Sequence, residues 1–104
     1  MNQDPCDLSE IATVVAELES ACGTRDATGI STGVARLFAQ LRSMPCPPAP
    51  PEQSRRVAAG TWLLTKCAEN LRELEWQMSN RWQEVEGTVR LADRCVARMH
   101  ESLT

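Results

Sequence analysis

Cys6, Cys22, Cys46, Cys67 and Cys95, together with the single histidine His100, are the side chains best suited to nucleophilic or metal chemistry. Their spacing argues against both. No two cysteines form a C-x-x-C pair, and a structural zinc site draws about four ligands at paired spacings. A reactive cysteine needs an electropositive neighbourhood, whereas Cys6 lies between Asp4 and Asp7. A nucleophile also needs a base beside it, usually histidine, and His100 stands near the C-terminus, where fraying is expected. Glu73/Glu75 and Glu84/Glu86 are two residues apart, so on a helix they point to different faces. The Gly23–Gly33 stretch is rich in Gly and Thr but holds no lysine, which a phosphate-binding P-loop requires. The expectation is no catalytic residue, no metal, no cofactor and no enzyme.

The composition points to association instead. The 104 residues are 42% hydrophobic and 24% charged, which argues against wholesale disorder. Only 4% are aromatic, which gives an all-β core little support. No run of about 18 apolar residues is present, so no membrane span is expected. The acidic start lacks an apolar leader, so the cysteines are expected as reduced thiols in the cytoplasm or nucleus. Net charge is −3, distributed as −5 over residues 1–24, +3 over 25–56 and −1 over 57–104. That balance disfavours nucleic acid as the main partner.

Elements to position these residues are readily placed. Asp4-Pro5 is a capping residue followed by a first-turn proline, and Leu8, Ile11, Val15, Leu18 and Cys22 follow at spacings of 3 and 4. A helix is expected over 5–22. Ile30, Val34, Leu37, Phe38, Leu41 and Met44 mark a second over 31–44. Five of the six prolines fall in 45–51, an extended spacer that also carries the SH3-ligand form Arg42-x-x-Pro45-x-x-Pro48. The domain plan is thus a helical hairpin over 1–44, a proline-rich spacer over 45–51 and a coiled-coil helix over 52–104.

Val57, Leu64, Leu71, Met78, Val85, Ala92 and Met99 repeat every seven residues through this last segment, joined first by Cys67 and Leu74. Beyond Met78 the companion row becomes Trp82, Val89, Val96 and Leu103, a stutter of four plus four. An unbroken helix over 52–101 would span about 75 Å, against about 27 Å and 21 Å for the first two. Such a seam would stay wet without a mate, so the fold class expected is all-α with a long C-terminal amphipathic helix. The alternative is a break at Ser79-Asn80 and a self-contained four-helix bundle. Trp62 and Trp76 sit fourteen residues apart behind the seam, either as interface anchors or as core beneath the first two helices.

The function expected is a non-enzymatic coiled-coil subunit or adaptor. It would bind helical partners, or itself, through 57–103, with Trp62, Leu64, Leu71, Leu74, Trp76, Met78, Trp82, Val85, Val89, Val96 and Met99 as the partner-binding residues. The seam Leu64-Cys67-Leu71-Leu74-Met78 and its continuation resemble the plan of flagellar and type III secretion export chaperones. It is similar in outline to small coiled-coil subunits of tethering complexes and of viral assembly machinery. The chaperone resemblance implies an alternative function, clasping the helical segment of a secreted subunit.

Overall fold

The structure, a computed structural model, describes residues 8–43 and 51–103. Four α-helices follow in order: α1 (Ser9–Gly23), α2 (Ala27–Ser43), α3 (Pro51–Leu74) and α4 (Trp82–Leu103), with a 3-10 segment over Glu75–Asn80 between the last two. Among the described residues the chain is all-helical. The Asp4-Pro5 cap and the prolines before Pro51 lie outside them.

Helix α2 begins four residues earlier than its apolar row suggests, because Asp26 caps it. The Asp26 carboxylate accepts from the Gly29 N–H at 3.0 Å, satisfying an otherwise unpaired first-turn donor. The α1–α2 turn is tight, with Arg25 in the left-handed region at φ 58°. The two helices pack antiparallel: Gly33 faces Leu18, and a Cβ on Gly33 would lie 2.5 Å from the Leu18 Cδ2. Arg36 with Glu17, and Gln40 with Glu10 at 3.1 Å, clip the outer edge of the pair. Such exposed contacts each contribute under about 1 kcal/mol, so the buried seam carries the hairpin.

The unbroken helix over 52–101 does not form. Helix α3 ends at Leu74, Gln77 leaves helical geometry at φ −128° and ψ 18°, and Arg81 departs again at φ −133°. Helix α4 then runs back along α3, with Asn70 Nδ2 donating to Thr88 Oγ1 at 2.8 Å across the pair. The stutter supplies the reason. Before Met78 the apolar stripe is one face, and beyond it another, so a fold at the step turns both inward. Each apolar side chain buried contributes about 1.5–3 kcal/mol, whereas each helical hydrogen bond lost costs about 1 kcal/mol. Folding back therefore wins over a straight helix with a wet seam. Met78, only 3% exposed, pins the bend to the core.

Each helix packs against two others: α1 on α2 and α4, α3 on α2 and α4. One core fills the space, with Leu8, Ile11, Val14, Val15 and Leu18 from α1 and its start, Ile30, Val34 and Leu37 from α2, and the heptad rows of α3 and α4. Among the described residues no polar or charged side chain is buried. The arrangement is the four-helix bundle.

Candidate interaction surface

The eight seam residues Leu64, Leu71, Leu74, Met78, Val85, Val89, Val96 and Met99 are all buried in that core, none more than 5% exposed. They meet one another and the first hairpin, and only Met99 and Val89 also border openings at the surface. Trp82 is half-buried at the start of α4, with the Arg25 guanidinium 5.4 Å from its ring centroid. The tryptophans behind the seam stand elsewhere. Trp62 is 60% exposed and Trp76 is 91% exposed, so neither packs beneath α1 and α2. The cause for Trp62 is topological: among the α-helices α3 packs only on α2 and α4, and the side that carries Trp62 is left to solvent, while Trp76 lies on the 3-10 segment. Lys66 covers Trp62 in part, its Nζ 5.4 Å from the ring centroid.

Besides these two tryptophans, an open apolar surface among the described residues lies between α3 and α4. Gly60 brings the helices together: a Cβ there would collide with the Met99 side chain. The Cys95 thiol donates to the Gly60 carbonyl at 3.2 Å across the crossing. Above the crossing a groove of about 550 Å³ opens to solvent, floored by Ala59, Gly60, Cys95 and Met99 and walled by Leu63 and Leu91. Leu63 is 39% exposed and Leu91 is 47% exposed. Arg56, Arg94 and Arg98 stand at its edge against one acid, Glu101.

Leu91 and the arginine edge escape the periodicity because heptad reading weights the buried row. Their signal is a second one: Leu63 and Leu91 each sit one position before a core residue, Leu64 and Ala92, widening the apolar stripe where a polar flank is the rule.

Of the groups considered for chemistry, the fold brings Cys67 and Cys95 near each other. Cys22, Cys67 and Cys95 are buried free thiols. Burial pushes the Cys67 thiol up to about 11, with Cys95 nearby adding to the rise. Burial also raises Cys22 and Cys95. Such thiols remain protonated at neutral pH and are poor nucleophiles. Cys6 and Cys46 lie outside the described residues. No cluster of three or more His, Cys, Asp or Glu side chains able to hold a metal occurs among the described residues. His100 is exposed on the last turns of α4. Glu84 and Glu86 pair with Arg81 at 3.1 Å and Arg90 at 2.5 Å respectively, on separate sides of α4. Among the described residues no helix is long and apolar enough to cross a membrane.

One acidic contact joins the hairpins. Partial burial raises the Glu19 carboxyl on α1 above its ordinary value, and a hydrogen bond to Asp93 on α4 and the repulsion of its charge add to the rise.

Comparison with known protein families, with curated proteins and with solved structures finds no match to this chain.

Proposed function

We propose that this chain is a non-enzymatic helical docking module, a small subunit or adaptor that receives a helix of a partner protein. The observation that carries the reading is the α3/α4 groove, where Leu63 and Leu91 remain 39% and 47% exposed beside an apolar floor. Contiguous exposed apolar surface with a charged rim is the signature of an interaction site, and a groove between two helices suits a third. The docking surface thus moves from the heptad seam, which is internal, to the outer side of the same two helices. The mateless C-terminal helix on which the export-chaperone resemblance rests is paired within the bundle, so that alternative has less behind it. The non-enzymatic part of the reading rests on thiols held protonated in apolar surroundings.

The test is photo-crosslinking in the cells that make the protein. A photoreactive side chain at Leu91 is compared with one at Thr13, which is exposed on α1. A discrete protein adduct from position 91 and none from 13 is the expected result. No adduct from either position, or the same adducts from both, would overturn the reading.

A further inference from the structure

We infer that the occupant of the α3/α4 groove is a negatively charged amphipathic helix from a different protein, held by leucine-type anchors against Leu63 and Leu91 and by carboxylates against Arg56 and Arg94. This rests on the docking-module reading above and specifies the chemistry of its partner. The charge of the groove is the first support. Three arginines against one glutamate give its lining a surplus of two positive charges on a chain whose net charge is −3. The surplus is therefore local and not a reflection of the whole molecule.

The use made of the other arginines is the second support. Arg36, Arg81 and Arg90 each pair with a glutamate of the bundle. Arg25 and Arg72 lie over the Trp82 and Phe38 rings. Arg56 and Arg94 do neither with any described residue, and the same holds for Arg42 and Arg55; what sets Arg56 and Arg94 apart is their place at the edge of the groove, beside the exposed Leu63 and Leu91. Carboxylates from outside would complete them, in the fork geometry guanidinium favours.

The apolar floor decides the class of partner. A phosphate backbone is tracked by rows of cations and stacked aromatics. Here the surface between the arginines is Ala59, Gly60, Leu63, Leu91 and Met99, which wants aliphatic side chains. A second copy of the chain is the poorer fit. Leu63 and Leu91, the exposed apolar residues of the groove, flank its own arginines, so two grooves placed face to face would bring like charges together.

The test uses the full chain and a fluorescent synthetic helix of about 18 residues, with leucines along one face and glutamates on both flanks. Controls are the same peptide with lysine flanks and an isomer with the leucines shuffled off one face. Anisotropy should show binding of the glutamate peptide that is about tenfold or more tighter than either control and that weakens with salt. Arg94→Glu and Leu91→Ser, both at exposed positions and checked for retained helicity, should each reduce it about tenfold or more. Equal binding of the lysine peptide, no effect of Arg94→Glu, or no binding would overturn the acidic-helix assignment. Preference for a single-stranded RNA oligomer, or a dimer of the chain that Leu91→Ser disperses, would do the same. A position-91 crosslink that persists while the glutamate peptide fails would leave the docking module standing and remove only its acidic specificity.

Discussion

The Cys95 thiol of α4 donates to the Gly60 carbonyl of α3 at 3.2 Å, and it reaches that carbonyl because Gly60 has no side chain to hold the helices apart. The same absence lets Met99 lie over the Gly60 Cα, where an added Cβ would collide with it. The groove floor is a consequence of this crossing. Gly60→Ala should add about 1 kcal/mol of helix propensity and lose about 1–3 kcal/mol to overpacking, for a net destabilisation in urea unfolding. In a Met99→Ala background the collision is gone, and Gly60→Ala should become neutral or stabilising. Additive effects of the two substitutions would show that the helices do not cross this closely.

The Glu19–Asp93 contact sets a pH dependence. The Glu19 carboxyl is raised above its ordinary 4.5, so the folded state holds this proton more tightly than the unfolded chain. Its contribution to stability is therefore fully present below pH 4.5 and is lost as pH rises through the folded value. Glu19→Gln should melt higher than the natural chain at pH 7, and the two should converge towards pH 4. Asp93→Asn should act in the same direction, and the pair should gain less than the sum of the singles. A Glu19→Gln melting difference that is unchanged between pH 7 and pH 4 would dismiss the contact.

Arg25 holds two opposing terms. Its left-handed backbone costs about 1 kcal/mol relative to glycine, and its guanidinium over Trp82 returns about 0.5–1 kcal/mol at an exposed site. Arg25→Gly relieves one and loses the other, so its stability should stay within about 0.5 kcal/mol of the natural chain. Arg25→Ala keeps the strain and loses the ring, and should fall by about 0.5–1 kcal/mol. Equal unfolding midpoints for the two variants would mean that the turn does not hold residue 25 in this geometry.

How far the fold could be read from the residues depends on the kind of information each carried. The Leu8–Ile11–Val15–Leu18–Cys22 row and the heptads of 57–99 are helix periodicity, a local property, and both emerge as helices with those residues inside. The break after Leu74 depends on a comparison between a wet seam and a few lost hydrogen bonds, which periodicity does not contain. The stutter at Met78 marked the place, while Ser79 and Asn80 are too weak as helix breakers to force it. Asp26 was legible as a cap in type but was hidden by Gly29 and Gly33, whose presence answers Ala21 and Leu18 across the hairpin. The groove was least legible. Leu91 and Arg94 acquire meaning only when Gly60, some thirty residues away, brings α3 against them.

Val89 and Leu91 separate the inside of the bundle from its proposed docking face within a single turn of α4. Val89 is 2% exposed in the shared core and Leu91 is 47% exposed at the groove wall. Val89 borders a small opening also lined by Arg25 and Arg90, but Arg25 lies over Trp82 and Arg90 pairs with Glu86, while Glu19 and Glu86 line the same opening. A carboxylate at position 89 is therefore poorly compensated, and an unpaired buried charge destabilises by about 3 kcal/mol or more. Because α1, α2, α3 and α4 share one core, that loss is not confined to α4. Val89→Glu should lower the helicity of the whole chain in one cooperative transition, seen by circular dichroism with the solution mass measured alongside. Leu91→Glu adds its charge to a solvated position and should shift stability by no more than about 0.5 kcal/mol. It should still abolish docking, since it places a like charge against an acidic helix and removes an anchor. If Val89→Glu instead leaves a folded monomer, the heptad row is not the core. If it only disperses an oligomer whose subunits remain helical, the seam faces another chain after all, and the four-helix arrangement gives way to it.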